Sequence, residues 1–156
     1  MKVSDILRVK GGTLFTVAPE EPLSAALNVM SQHDIGSLVV MSHGALAGML
    51  TFREVIQAVV ANGGALGSTR VRDVMDTAPL TCTPATELDE VRRMMLGRHA
   101  RYMPVLAEMM LMGVVSFYDV AKAVVDSQDF ENRMLKAYIR DWPVDSRDEQ
   151  PSSNPN

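Results

Sequence analysis

Two short motifs in the chain place a hydroxyl and a carboxylate three residues apart. Thr51 is followed by Glu54, and Ser116 is followed by Asp119. A Ser or Thr that ends a strand and opens a helix leaves backbone N–H groups exposed, and the positive end of the helix favours phosphate. An acid one turn later can accept hydrogen bonds from both hydroxyls of a ribose. The motifs therefore predict nucleotide contacts, with Asp119 as the best diol acceptor and Ser116 near the phosphate.

The same motifs also fit a purely structural role. In a helix capping box, the hydroxyl and the acid satisfy the free N–H groups of the first turn, which contributes about 1 kcal/mol. Glu54 suits that role better than Asp119 does. In the first motif Arg53 could donate charge-assisted hydrogen bonds to phosphate oxygens. The sequence leaves both the ligand-binding and the capping interpretation open.

An internal duplication contains the two motifs. The offset of 65 residues that relates Thr51 to Ser116 also relates Gly48 to Gly113, Thr16 to Thr81, and Pro19 to Pro84. A constant offset that matches strand-like, turn-like and helix-starting positions indicates a duplicated structural unit. A helical turn leads each copy, and these two turns are related by an offset of 68. The three additional residues of the first copy lie in 10–12, where an insertion costs little.

Hydrophobic periodicity gives each copy the order β-α-β-β-α. In the first copy we predict strands at 14–17, 37–41 and 49–51, with helices after Pro22 and over 52–61. In the second we predict strands at 80–83, 103–106 and 114–116, with helices around 88–95 and over 117–126. The predicted organisation is repeat 1 at 1–62, a linker at 63–70, repeat 2 at 71–126, an amphipathic helix at 127–142 that ends at Trp142, and a disordered tail at 143–156.

Composition excludes several classes of protein. The 156 residues carry a net charge of −4, which argues against a surface that neutralises nucleic-acid phosphates. The longest apolar run, over 109–115, is far shorter than the roughly 20 residues that span a bilayer. Cys82 is the single cysteine and is interpreted as a buried filler. Because one cysteine cannot form an intramolecular disulfide, we expect a reducing compartment, the cytoplasm. No nucleic-acid or membrane partner is expected.

Catalysis and metal binding find little support in the sequence. The chain contains no nucleophile with a neighbouring base, and its three histidines lack metal-ligand spacing. We therefore predict a protein that is not an enzyme and holds no metal. The segment 109–112, with three methionines, lies where the first copy has its hairpin turn. Because exposed apolar patches often mark contact surfaces, we hypothesise a subunit or partner interface there. Arg98, His99 and Arg101 could meet phosphates or form a solvated helix end.

In each copy a Gly is followed by two apolar residues, then Thr or Ser, two variable residues and an acid. Together with Pro19, Pro84 and the segment 101–105, this pattern resembles the CBS domain, named after cystathionine β-synthase, over roughly 3–126. The resemblance implies an α+β fold in which two repeats pack through their sheets with pseudo-two-fold symmetry. It also implies two clefts for adenosine-containing ligands and pairing into flat dimers. Glu54 departs from the acid that is usual in the family, Asp.

The resemblance also implies which residues line each cleft, with adenine in an apolar slot. For site 1 these are Thr16, Val17, Ile35, Gly36, Ser37, Leu38, Thr51, Arg53 and Glu54. For site 2 they are Thr81, Cys82, Thr83, Ala100, Arg101, Tyr102, Met103, Pro104, Ser116, Tyr118 and Asp119.

The predicted function is that of a stand-alone regulatory sensor. The expected ligand is AMP, with ADP, ATP, NAD(H) and S-adenosylmethionine as alternatives that share the adenosine half. The expected partners are a second copy of the chain and an unidentified effector protein, because the chain contains the module and little more. The alternative is a ligand-independent interaction module with vestigial clefts, in which the helix from Phe130 to Trp142 makes the functional contact.

Overall fold

A computed structural model describes residues 1–141 of the chain. The first repeat contains α1 (Val3–Lys10), β1 (Thr16–Val17), α2 (Leu23–His33), β2 (Ser37–Ser42), β3 (Ala45–Thr51) and α3 (Phe52–Ala61). The second contains α4 (Val71–Val74), α5 (Leu88–Arg98), β4 (Tyr102–Ala107), β5 (Met110–Ser116) and α6 (Phe117–Asp141). The predicted α+β fold with two related repeats is confirmed. The predicted helix end at Trp142 and the tail at 143–156 lie outside the described residues.

The two sheets differ by one strand. In the first, β1 runs parallel to β2, and β2 pairs antiparallel with β3. In the second, β4 pairs with β5, but the strand predicted at 80–83 is reduced to a single bridge between Cys82 and Val105. The prediction of a full strand there is wrong. Cys82 makes both of its ladder bonds with β4, but Pro104, at the position where Val39 pairs with Thr16 in the first repeat, has no N–H to donate.

The hairpins preserve the duplication in detail. Each contains a register shift at the same position, between Val40 and Met41 and between Val105 and Leu106. Each closes with a two-residue turn in which both residues have positive φ. The first turn is His43-Gly44 and the second is Glu108-Met109, where Met109 has a φ of 70°. The side chain of Met109 is 75% exposed, so the apolar turn predicted from the sequence does face solvent.

The leading helix of each repeat packs against the other repeat. The backbone N–H of Val3 in α1 donates to the carbonyl of Thr86, while that of Val71 in α4 donates to the carbonyl of Glu21. Both distances are 3.0 Å. Val71 belongs to the hydrophobic core of the first repeat, and Val3 is likewise completely buried. This reciprocal exchange of leading helices joins the repeats.

Two equivalent glycines let the exchanged segments approach the sheets. A Cβ at Gly48 in β3 would lie 2.5 Å from the backbone carbonyl oxygen of Asp76. A Cβ at Gly113 in β5 would lie 2.7 Å from Cδ2 of Leu7. Asp76 also exchanges two backbone hydrogen bonds of 2.9 Å with Met49. The glycine of each motif therefore makes room for the other repeat's leading helix or for a residue just after that helix.

The helix that follows β5 is longer than predicted. Two helices are predicted from the sequence, at 117–126 and at 127–142, whereas α6 is continuous from Phe117 to Asp141. Its 25 residues contain neither Gly nor Pro, so nothing in the sequence ends the helix between the two predicted parts. Residues 1–121 form one compact unit, and residues 122–141 belong to a second.

Candidate functional site

Two clefts lie within the unit of residues 1–121, one at each hydroxyl–acid motif. The cleft at the β3–α3 junction, here called the Thr51 cleft, has a volume of about 270 Å³. The cleft at the β5–α6 junction, here called the Ser116 cleft, has a volume of about 730 Å³. Sites for small ligands usually measure about 300 to 1,000 Å³. The Ser116 cleft falls within that range, whereas the Thr51 cleft lies just below it.

The Thr51 cleft is rich in charged groups. Three arginines, Arg53, Arg98 and Arg101, line it together with the acids Glu54 and Asp76. The remaining lining residues are mostly apolar or aromatic: Met49, Thr51, Phe52, Ile56, Pro79, Leu80, Ala100 and Tyr102. Arg53 is already engaged, because it donates a hydrogen bond of 2.9 Å to the carbonyl of His99. Arg98 is the last residue of α5, and Arg101 lies just before β4.

The walls of the Ser116 cleft are more apolar. One wall comes from the segment before β1, including Lys10, Leu14 and Phe15, and another from the segment before β2. The full lining is Leu7, Lys10, Gly11, Thr13, Leu14, Phe15, Ile35, Gly36, Ser37, Arg101, Tyr102, Gly113, Val114, Ser116, Phe117, Tyr118 and Ala121. Phe15 stacks on the ring of His33, with centroids 4.0 Å apart, which gives this wall a second aromatic layer.

The structure groups the predicted site residues differently from the sequence analysis, which assigned each cleft to one repeat. Thr51 of the first repeat shares its cleft with Ala100 and Tyr102 of the second. Ser116 of the second repeat shares its cleft with Ile35 and Ser37 of the first. The reciprocal exchange of leading helices explains this difference. Because each leading helix crosses to the other sheet, the segment after it passes the other repeat's motif.

Several residues assigned to the slots from the sequence lie outside both linings. They are Thr16, Val17, Leu38, Thr81, Cys82, Thr83, Met103, Pro104 and Asp119, of which five are buried in the strands or beside them. Burial raises the pKa of the Cys82 thiol to about 12, so this side chain is an inert filler. The cleft walls instead come from the residues just before each strand, such as Phe15 and Leu80.

Arg101 and Tyr102 line both clefts and form their common wall. Tyr102 reaches across to Gly36, the residue of the first repeat that is equivalent in position to Arg101. A Cβ at Gly36 would overlap the Tyr102 hydroxyl and crowd the ring of Phe52. Gly36 therefore lines its cleft as a spacer, because the absence of a side chain is what admits Tyr102.

The Thr51–Glu54 pair forms a closed capping box. The Thr51 hydroxyl donates to Glu54 at 3.0 and 3.1 Å, the Thr51 N–H donates to the same carboxylate at 3.3 Å, and Arg53 N–H donates to the hydroxyl at 3.2 Å. Glu54 is only 8% exposed. Burial raises the pKa of Glu54 above its ordinary value, the negative charge of Asp76 adds to that rise, and the bonds from Thr51 oppose it. Glu54 therefore carries its charge at a cost in stability.

We expect Glu54→Gln to become more stable relative to the wild type as the pH rises. A carboxyl whose folded-state pKa exceeds its unfolded value stabilises the protein below the unfolded pKa and loses that contribution as pH rises through the folded pKa. Gln retains an acceptor for the cap without the charge. Free energies of unfolding from urea titrations between pH 4.5 and 7.5 measure the difference, with the exposed Glu90→Gln as control. Parallel profiles for the wild type and Glu54→Gln would show that ionised Glu54 costs nothing.

Asp119 has a different environment from Glu54. Its Oδ2 accepts the Ser116 N–H at 2.9 Å and the Lys10 ammonium at 2.7 Å, while its own N–H donates to the Ser116 hydroxyl at 3.0 Å. Lys10 also donates to the carbonyl of Val114 at 2.9 Å. Burial alone would raise the pKa of Asp119, but the bond and charge of Lys10 and the bonds from Ser116 hold that pKa below its ordinary value. Asp119 thus stays ionised near neutrality.

Several residues that line the Ser116 cleft were not predicted from the sequence, and Lys10 is the one that bonds Asp119. The available signal was the three-residue insertion at 10–12, which was interpreted only as a tolerant connection. Within residues 1–141, no group of three His, Cys, Asp or Glu side chains could hold a metal ion. No helix in that part of the chain is long and apolar enough to cross a bilayer.

The fold and the two clefts define a class of module built from paired β-α-β-β-α repeats. The chain belongs to the CBS domain family, whose model matches residues 3–61 and 71–126. A mitochondrial CBS domain-containing protein of Arabidopsis thaliana, CBSX3, is 32% identical over 88% of this chain and 71% of its own length. The CBS protein ATU1752 of Agrobacterium tumefaciens is 31% identical and superimposes with a TM-score of 0.75 over 79% of this chain and 98% of its own.

A third similar structure is that of CBSX2. It superimposes with a TM-score of 0.68 at 21% identity, covering 81% of this chain and 98% of its own. At this level of identity the likeness concerns the fold alone. The three comparisons agree on a paired CBS module as the architecture of this chain.

Proposed function

We propose that this chain is a non-catalytic regulatory module that binds an adenosine-containing ligand in the Ser116 cleft. One observation carries the proposal: a cleft of about 730 Å³ with apolar walls opens at Ser116, where the long helix α6 begins. The dipole at the start of a helix favours a phosphate, and the apolar walls suit a base. The cleft therefore offers both halves of a nucleotide a suitable environment.

The residues around the cleft suggest how such a ligand is held. In the proposed pose the phosphate lies near Ser116, and the ribose hydroxyls donate to Asp119. The adenine lies between apolar side chains that include Phe15 and Ile35, and backbone groups before β2 read its edge. Phe15 is well suited to hold a base because its ring is supported from behind by His33.

AMP is the leading candidate ligand. The solved CBSX2 structure is a complex with AMP, which supports an adenine nucleotide in a related fold. ATP, NAD(H) and S-adenosylmethionine contain the same adenosine half and stay as alternatives. The Thr51 cleft, with three arginines but only about 270 Å³, is the proposed second site. Glu54 is a weaker diol acceptor than Asp119, because its carboxylate is turned to the Thr51 cap.

Regulation requires that the ligand favour one arrangement of the protein over another in free energy. The proposed readers of that arrangement are a second copy of the chain and an effector protein. Phe52, Ile56 and Val60 recur every four residues along α3 and are 54 to 74% exposed, which supports a subunit interface there. A reducing compartment such as the cytoplasm fits the proposal, since the single cysteine forms no internal disulfide.

We expect saturable binding of AMP by the wild type and at least a tenfold loss of affinity in Asp119→Ala and Asp119→Asn, because each loses a charged acceptor for the diol. Isothermal titration against AMP, ATP, NAD, NADH and S-adenosylmethionine measures the affinities, after copurified nucleotide has been removed. Asp126→Ala, an exposed acid of the same helix, is the control. Because Asn keeps the cap, only Asp119→Ala is expected to lose about 1 kcal/mol of stability.

Two other results would contradict the proposal. If Asp119→Ala lowers stability but leaves the affinity for AMP unchanged, Asp119 is a helix cap only. If the wild type binds none of the five ligands, the ligand-independent interaction module is the better account. Four apolar side chains of α6, Phe130, Met134, Leu135 and Ile139, favour that alternative, since each is 57 to 61% exposed.

A further inference from the structure

Lys10, a residue of the first repeat, bonds Asp119, the acid of the Ser116 motif in the second repeat. It is the last residue of α1, and its ammonium bonds Asp119 Oδ2 at 2.7 Å and the carbonyl of Val114 at 2.9 Å. Lys10 lines the Ser116 cleft, whereas Asp119 is not among the lining residues. The side chains are 42% and 19% exposed respectively. The lysine therefore lies between the open cleft and the carboxylate.

This arrangement is specific to one cleft. The second repeat has no counterpart of the three-residue insertion that contains Lys10, and the lining of the Thr51 cleft includes no lysine within the described part of the chain. There, Glu54 is held by Thr51 of its own motif. Two clefts that arise from one duplication thus differ in whether a cation covers the acid.

The contact has a chemical consequence for ligand binding. A ribose diol that bonds a carboxylate through both of its hydroxyls uses both carboxylate oxygens, and Asp119 Oδ2 already accepts two hydrogen bonds, one of them from Lys10. An ammonium on a four-carbon stem carries three donors and no acceptor, so it can leave a carboxylate for any nearby anion. The first anion available is the phosphate that the start of α6 favours.

We propose that Lys10 occupies the diol position of the Ser116 cleft in the ligand-free protein and transfers to the ligand's phosphate when a nucleotide binds. The inference rests on the proposed function. It makes Lys10 a specificity-determining residue, because a ligand without phosphate must displace the ammonium from Asp119 and offers it no new partner. Phosphorylated adenosyl ligands are therefore preferred over adenosine and S-adenosylmethionine.

The test compares AMP with adenosine by isothermal titration in the wild type, Lys10→Met and Lys10→Arg. We expect the wild type to bind AMP at least about tenfold more tightly than adenosine, since a charge-assisted bond to phosphate is a strong one. In Lys10→Met, adenosine should bind more tightly and AMP more weakly, so that the ratio falls about tenfold. Lys10→Arg should keep most of the preference. Arg8→Met, an exposed cation of the same helix, should behave as the wild type does.

The outcomes separate this inference from the proposed function. Equal changes in AMP and adenosine affinity, or no change in either, would overturn the role of Lys10 while leaving the nucleotide site in place. Absence of binding of either ligand by both the wild type and Lys10→Met would overturn the two together. Thermal melting of each variant shows whether it is folded, and the ratio of two affinities on one variant does not depend on its stability.

Discussion

Val3→Asp is expected to destabilise the protein by more than about 4 kcal/mol, although the residue is the third of the chain. Here the side chain of Val3 is completely buried, and its backbone N–H donates to Thr86 in the second repeat. A carboxylate at this position would lose its hydration and gain no partner. Urea unfolding followed by circular dichroism measures the loss.

Two matched variants make this result specific. Val9 is on the same helix as Val3 and is 88% exposed, so Val9→Asp should change stability by less than about 0.5 kcal/mol. Val71, at the equivalent position of the second leading helix, is equally buried, and Val71→Asp should match Val3→Asp. A Val3→Asp protein as stable as Val9→Asp would show that α1 does not pack on the second repeat in solution.

Gly48→Ala is expected to cost about 3 kcal/mol, considerably more than the same change at the equivalent Gly113. The added methyl at Gly48 would lie 2.5 Å from the Asp76 carbonyl, a backbone atom fixed by its 2.9 Å bond from Met49. At Gly113 it would meet only the end of the Leu7 side chain, which can change rotamer. We therefore expect Gly113→Ala to cost about 1 kcal/mol or less.

Comparing these two glycines controls for most other effects of the substitution. Both lie in the middle of an edge strand, and both changes remove the same conformational freedom from the unfolded chain. The difference between the two free energies of unfolding therefore isolates the contact with the exchanged segment. Equal costs at both positions would mean that Asp76 moves away as easily as Leu7 does.

Much of the fold follows from local patterns that the sequence shows twice. The hydroxyl–acid motifs, the strand-ending prolines and the helical faces are each fixed by interactions within a few residues, so a 65-residue offset was enough to identify them. The full strand predicted at 80–83 does not form, because the residue of β4 that would donate to it is Pro104, and strand propensity at 80–83 does not take the partner into account. The break expected in α6 failed because the family pattern ends near residue 126, while the helix has no residue that stops it.

The site was harder to predict than the fold. Thr51, Ser116 and the segment before β4 were found, because each carries a chemical signal in its own motif. How these residues group into clefts was not predicted, because the grouping depends on which sheet each leading helix packs against. Lys10 and Asp119 are 109 residues apart and meet only through that crossing. A contact of this kind leaves no local pattern.

The crossing of the leading helices also bears on how the chain folds during translation. Val3 finds its partner only at Thr86, which a ribosome adding about 5 to 20 residues per second reaches about 4 to 17 seconds later. Until then α1 lacks the part of the second repeat on which it packs. The core of the first repeat is likewise incomplete until Val71 has been synthesised. The first half is therefore incomplete when it emerges, so we expect the module to fold as one body once the second half has been synthesised.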